Sequence, residues 1–221
     1  MEKTKVFWII TTLILAILAL VVVINLVFSS DEINEGKFRV GDVILTSTAE
    51  LTNKSKENDA WSIDLSQRNK LSILINVAEE ASIQKVYLKD ITVNKGNIIM
   101  SQLNHENKVA LIDGPKDLEL EYRVENGQML IEIVALNENI LKNWIVPEGT
   151  KELVYDGRAF TTAGLTLKDI RFKIDFKLVV SETTGKINEM RVSLQLPNDE
   201  LIINGADVRR LSLSEFKFKT K

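Results

Sequence analysis

His105 is the one imidazole in the chain, and its side-chain type is the usual general base at neutral pH. It lies in the polar stretch Gln102-Leu103-Asn104-His105-Glu106-Asn107, between apolar runs. A base there needs a nucleophile or carboxylate delivered by folding, and a surface turn is the plainer role. With one histidine and no cysteine, the chain by itself excludes multi-histidine, His-Cys and thiolate metal sites, and a cysteine nucleophile.

Two carboxylates in one cleft are the chemistry of glycoside hydrolysis. Glu79-Glu80, Asp156, Asp169, Asp175 and Asp199-Glu200 are the candidates among 31 acids. The two adjacent pairs sit beside apparent strand ends, where charge also discourages edge pairing. Carbohydrate sites add stacking aromatics, yet aromatics are 6% of this chain. The turns at 113–117 and 198–200 offer oxygen ligands, but EF-hand spacing is absent. No nucleophile-elbow, phosphate-loop or dinucleotide glycine pattern occurs. No catalytic, cofactor-binding or metal residue is therefore assigned, no cofactor is expected, and the expectation is a protein that is not an enzyme. Acids outnumber bases 31 to 28, so nucleic acid is not an expected partner.

The elements that would carry any site fall into two classes. Residues 6–28 form a run of 23 residues without a formal charge. As a helix the run would be roughly 35 Å long, against a hydrocarbon core of about 30 Å. A helix closes its own backbone hydrogen bonds, which lipid requires. Trp8 is placed as an interface anchor, Ile17 at mid-membrane and Asn25 near the far headgroups. Lys3 and Lys5 precede the run, and Asp31, Glu32 and Glu35 follow it. The positive-inside bias puts the N-terminus in the cytoplasm and the rest outside. A cleaved signal peptide competes with this assignment, but its apolar region is normally about 7–15 residues long.

Beyond the run the pattern has period two. Leu118, Leu120, Tyr122 and Val124 alternate with charged residues, and Ile170, Phe172, Ile174, Phe176, Leu178 and Val180 form a second set, alternating with Arg171, Lys173, Asp175 and Lys177. Leu71, Ile73, Ile75 and Val77 form a third set, and Met190, Val192, Leu194 and Leu196 a fourth. Each set makes a strand with one dry face. Asn126-Gly127 between two such runs is a hairpin signal. The parity of apolar positions changes around Lys89-Asp90, which predicts a bulge or a change of sheet. Residues 47–60 are polar enough to read as an exposed loop. Residues 136–154 lack a clean period and read as a short helix, 138–144, followed by a loop.

The fold expected is mainly β: a single N-terminal transmembrane α-helix followed by an antiparallel β-sandwich or jelly-roll-like extracytoplasmic domain. Its parts are a cytoplasmic segment at 1–5, the anchor at 6–28, a polar tether at 29–37 and the β-domain at 38–221. Removing Lys3, Lys5 and Glu2 from 28 bases and 31 acids leaves the exported part with a net charge of −4.

The expected function is that of a protein-binding or scaffold subunit of a cell-envelope assembly. The bilayer is one partner, through residues 6–28, and an envelope or membrane protein is the other; the oligomeric state is open. Trp61, Trp144 and Pro147 are the candidate partner contacts, with core packing as their alternative role. A lipid- or polymer-binding envelope module is the alternative function. Its layout is similar to that of anchored jelly-roll subunits of envelope lipid-transport bridges, and it calls for an apolar groove between the sheets. A carboxylate-dependent hydrolase is the second alternative.

Ile17→Arg places a charge at the bilayer centre, at a cost of about 2.5–3.5 kcal/mol. The expected outcome is loss of the chain from the membrane fraction; full retention of the variant there counts against the anchor.

Overall fold

In the computed structural model the described residues are 36–57, 59–95, 97–111, 114–147, 158–197 and 207–221. The anchor run, with Trp8, Ile17 and Asn25, lies outside them. Among the described residues no helix is long and apolar enough to cross a membrane.

The strands are β1 (Phe38–Glu57), β2 (Ala60–Val77), β3 (Ile83–Val93), β4 (Ile98–Gln102), β5 (Lys108–Leu111) and β6 (Lys116–Leu120). They continue as β7 (Val124–Glu125), β8 (Gln128–Pro147), β9 (Phe172–Glu182), β10 (Ile187–Leu196), β11 (Asp207–Arg210) and β12 (Lys219–Thr220). Two four-residue helices, α1 (Ala159–Thr162) and α2 (Leu167–Ile170), lie between β8 and β9. The first sheet runs β11–β1–β2–β8–β4–β5, with β7 paired to β8. The second runs β12–β10–β9–β3–β6. Every pairing is antiparallel.

The alternating sets largely do what period two demands, although Ile170 belongs to α2 and β9 begins at Phe172. Leu71, Ile73 and Ile75 of the first sheet and Phe172, Ile174, Phe176, Leu178 and Val180 of the second join one buried core. The space between the sheets is filled. The gap lined by Leu45, Leu71, Ile133, Phe176 and Leu194 is about 10 Å³, at the lower limit for one water.

The long strands outrun the second sheet. β1, β2 and β8 have 20, 18 and 20 residues, whereas β9 and β10 have 11 and 10. Their far ends pack a second cluster, in which Ile63, Leu65 and Val146 meet Ala159 and Phe160 of α1 and Ile170 of α2. The two cores are separated by a buried polar row. There Asn69 accepts from Ser47 Oγ at 2.6 Å and from Gln67 Nε2 at 2.9 Å, and donates to the Ala135 carbonyl at 3.1 Å.

Two expectations are corrected here. Residues 47–60 are not a loop: β1 stays paired to β2 out to Glu57 opposite Ala60. Polar side chains there decorate a ribbon whose backbone is satisfied by its neighbour. Residues 138–144 are not a helix either, because β8 continues to Pro147. Leu65 pairs with Leu141 and Gln67 with Asn137, so one residue of β2 faces three of β8. A further extra residue falls before the Ile63–Trp144 pair. Asn139 and Asn143 take up the excess in the left-handed region, at φ 54° and 51°. Their amides donate to Ser66 Oγ at 3.0 Å and to Asp64 Oδ1 at 2.9 Å. Each extra residue flips the facing of those that follow, which erases the period from the sequence.

Other turn and parity signals hold. Asn126 and Gly127 adopt φ of 51° and 71° in the β7–β8 hairpin. Asp90, at φ 55°, is the bulge that shifts the register of β3. The run 118–124 is divided, however, since β6 belongs to the second sheet and β7 to the first. Gln102, 7% exposed, holds the crossing by accepting from Glu121 N at 2.7 Å and donating to Glu121 O at 2.6 Å.

Glu182 is buried and receives Lys37 Nζ at 2.6 Å and Asn188 Nδ2 at 3.1 Å. The bond from Lys37 outweighs burial and holds the carboxyl below its ordinary 4.5. The ionised form is favoured in the folded state, so its stabilisation is complete above about pH 4.5 and is lost as pH falls through the depressed value. The urea midpoint of the chain in detergent micelles is expected to fall on acidification through that window. Lys37→Met should make the fall shallower; an unchanged slope would show that the pair does not act on folding.

Candidate functional site

The two sheets are also unequal sideways. On one flank β5 and β6 approach each other and close the sandwich. On the other, Leu194 and Leu196 of β10 line the same gap as Leu45 of β1, so β10 lies over β1. The first sheet continues one strand further, to β11. β11 therefore projects past the edge of the second sheet.

That edge is paired only at one end. β12 meets β10 at Asn188 and Glu189, and Lys221 exchanges both backbone bonds with Ile187. The chain before β12 turns inward, with Phe216 buried and the Phe218 ring 6.0 Å from that of Phe38. Among the described residues no strand pairs with 190–196 on this side.

The register fixes which backbone groups face outward. The Ile187 N–H and C=O point to β12, and the Lys186 C=O points to β9. The β9–β10 pairing runs from Ile187 to Leu196 without a shift. Antiparallel strands alternate, so Arg191, Ser193 and Gln195 each turn an N–H and a C=O toward the open edge. The Ser193 hydroxyl is engaged with Asp175 on β9 and leaves that edge free.

The edge forms the wall of a recess of about 360 Å³. Ser193 and Gln195 line the wall, and Arg209, Arg210 and Leu211 line the floor, with Glu215 on the rim. Arg210 Nη2 meets Asp42 Oδ2 at 2.9 Å yet keeps 75% of its side chain exposed. Arg209 Nε meets Asp207 Oδ1 at 3.2 Å. Exposed edges are normally blunted by proline, bulges, shortness or charge. The 190–196 segment has only Arg191 as such a device, and Pro197 stands beyond its end.

The residues singled out from the sequence lie elsewhere. Trp61 and Trp144 are half-buried against the second cluster, and Lys56 Nζ stands 6.0 Å from the Trp61 ring. Pro147 ends β8 opposite Ala60. His105 Nδ1 is 3.4 Å from Glu121 Oε2, beside a separate pocket of about 320 Å³. Glu79 and Glu80 are exposed in a turn; Asp156, Asp199 and Glu200 lie outside the described residues.

Asp169 accepts from Thr166 N at 2.8 Å and from its Oγ1 at 2.5 Å, and so caps α2. Those bonds lower its carboxyl, as the bond from Lys177 lowers that of Asp90. Burial pushes Asp175 up, but bonds from Ser193 and Lys173 outweigh it and leave it lowered. A general acid for glycoside cleavage needs the opposite shift.

No protein-family model matches this chain, and neither a curated protein nor a solved structure matches it significantly. Residues 190–196 carry the same alternation as the other strands, so nothing in their types marks them as the open edge.

A proline at 193 removes an outward N–H, whereas one at 192 removes an N–H that bonds β9. Val192→Pro is expected to lower stability by about 1–3 kcal/mol more than Ser193→Pro, measured by urea unfolding, because a ladder bond is left unmade. Equal losses would mean that the edge is not open as described.

Proposed function

We propose that this chain is a single-pass membrane protein whose extracytoplasmic β-sandwich binds another protein, as a scaffold subunit of an envelope assembly. The observation that carries the reading is the open edge of β10 above the recess floored by β11. Three outward N–H and three outward C=O groups in one unbulged segment are a ready template for a further chain. Where a partner would be met by backbone groups, affinity does not need a deep cavity, and the filled interior of the sandwich accords with that. The polar tether expected at 29–37 would hold the site close to the membrane, within reach of other envelope proteins.

The test is photocrosslinking in native membranes, with the full-length chain carrying a photoreactive residue at position 195 or, as control, at 79. Specific protein adducts are expected from 195 and not from 79. They should persist when residues 1–28 are replaced by an unrelated anchor. Absence of adducts at 195, equal adducts at both positions, or adducts lost on replacing the anchor would each overturn the reading.

A further inference from the structure

Resting on that reading, we propose that the partner enters the recess as one extended acidic segment, added as a strand to β10. Three features of the molecule select this occupant over a folded one.

The first is steric. β11 projects past β10 over the position a new strand would take. If a second copy paired its own β10 there, its projecting β11 would fall where β1 already stands. A lone extended segment meets no such obstacle. It would complete the second sheet opposite β11, one strand thick, with alternate side chains turned down into the recess.

The second is the chain's own use of this edge. β12 pairs with Asn188 and Glu189, and Lys221 Nζ contacts the Glu189 carboxylate across the strands. That carboxylate is lowered chiefly by the bond from Lys221. Opposite charge across the pair is thus the recognition already present at the first residues of β10.

The third is the charge that follows. The next outward-facing residue after Glu189 is Arg191, which is exposed on the outer face of the second sheet. The sign has changed from acid to base, so a segment continuing where β12 stops meets the Arg191 cation. Carboxylates on the face that Arg191 shares suit it, and lysines there would repel. The length is bounded as well: β12 ends the free edge on one side and Pro197 on the other, leaving residues 190–196.

The probes are a synthetic nonapeptide of alternating valine and glutamate and its valine–lysine counterpart, labelled for fluorescence anisotropy. They are titrated onto the full-length chain in detergent micelles. The acidic peptide is expected to bind about tenfold tighter than the basic one, with Arg191→Glu abolishing the preference. Ser193→Pro should weaken it at least about fivefold, while Ser193→Ala, which keeps the N–H, should not. Hydrogen exchange should slow in the peptic fragment covering 187–197 when the acidic peptide is added.

Equal binding of the two peptides, binding of neither, or indifference to Ser193→Pro overturns strand addition by an acidic segment. So does protection of the Arg191, Ser193 and Gln195 amides before any peptide is added, which would mean that the chain itself fills the edge. A dimer in sedimentation that Ser193→Pro dissolves would assign the edge to a second copy and overturn the peptide. If position 195 still crosslinks a protein in the Ser193→Pro variant, protein binding stands and strand addition alone has failed.

Discussion

An apolar sheet face must be covered, and the two sheets of this protein are of unequal extent. β1, β2 and β8 are nearly twice the length of β9 and β10. The rest of the architecture follows from covering the excess. At one end the α1–α2 segment takes the place of the missing sheet, and Phe160 and Ile170 supply what strands would otherwise supply. Between this second core and the first, where neither cover is continuous, the Asn69 carbonyl oxygen accepts from Ser47 and Gln67, while the Gln67 carbonyl oxygen is buried without a partner. The bonds that the row does make offset part of the desolvation its burial costs.

The lateral excess has a different solution. β5 and β6 meet on one flank, but on the other β11 extends beyond its counterpart. The C-terminal residues cover part of the difference, with Phe216 and Phe218 packed inward and β12 paired outward. Among the described residues the remainder of β10 has no strand partner on this side, and it lies beside an arginine-bearing floor.

Elsewhere single side chains do the work of a ladder. Gln102 stands in for a strand partner where the chain crosses from β6 to β7. Ser66 and Asp64 do the same for the amides released by the bulges at Asn139 and Asn143. The perturbed carboxylates belong to this structural chemistry: Asp90, Asp169, Glu182 and Glu189 are each held ionised by a hydrogen bond from a near neighbour.

By itself the sequence determined the class of the fold, because period two, Asn126-Gly127 and the parity change at Lys89-Asp90 are local facts about which way a side chain points. It also delimited the apolar run at 6–28 and the absence of thiolate and multi-histidine chemistry. Where the local rule was interrupted, it misled: the bulges in β8 hid a strand, and the polar tip of the β1–β2 ribbon resembled a loop. Trp61 and Trp144 were conspicuous by type, yet their neighbours are set by helices that follow β8 by more than ten residues. Only the tertiary structure decided that β10 is an edge. Whether a strand has one neighbour or two depends on where β11 and β12 come to lie, and no side chain within 190–196 encodes that.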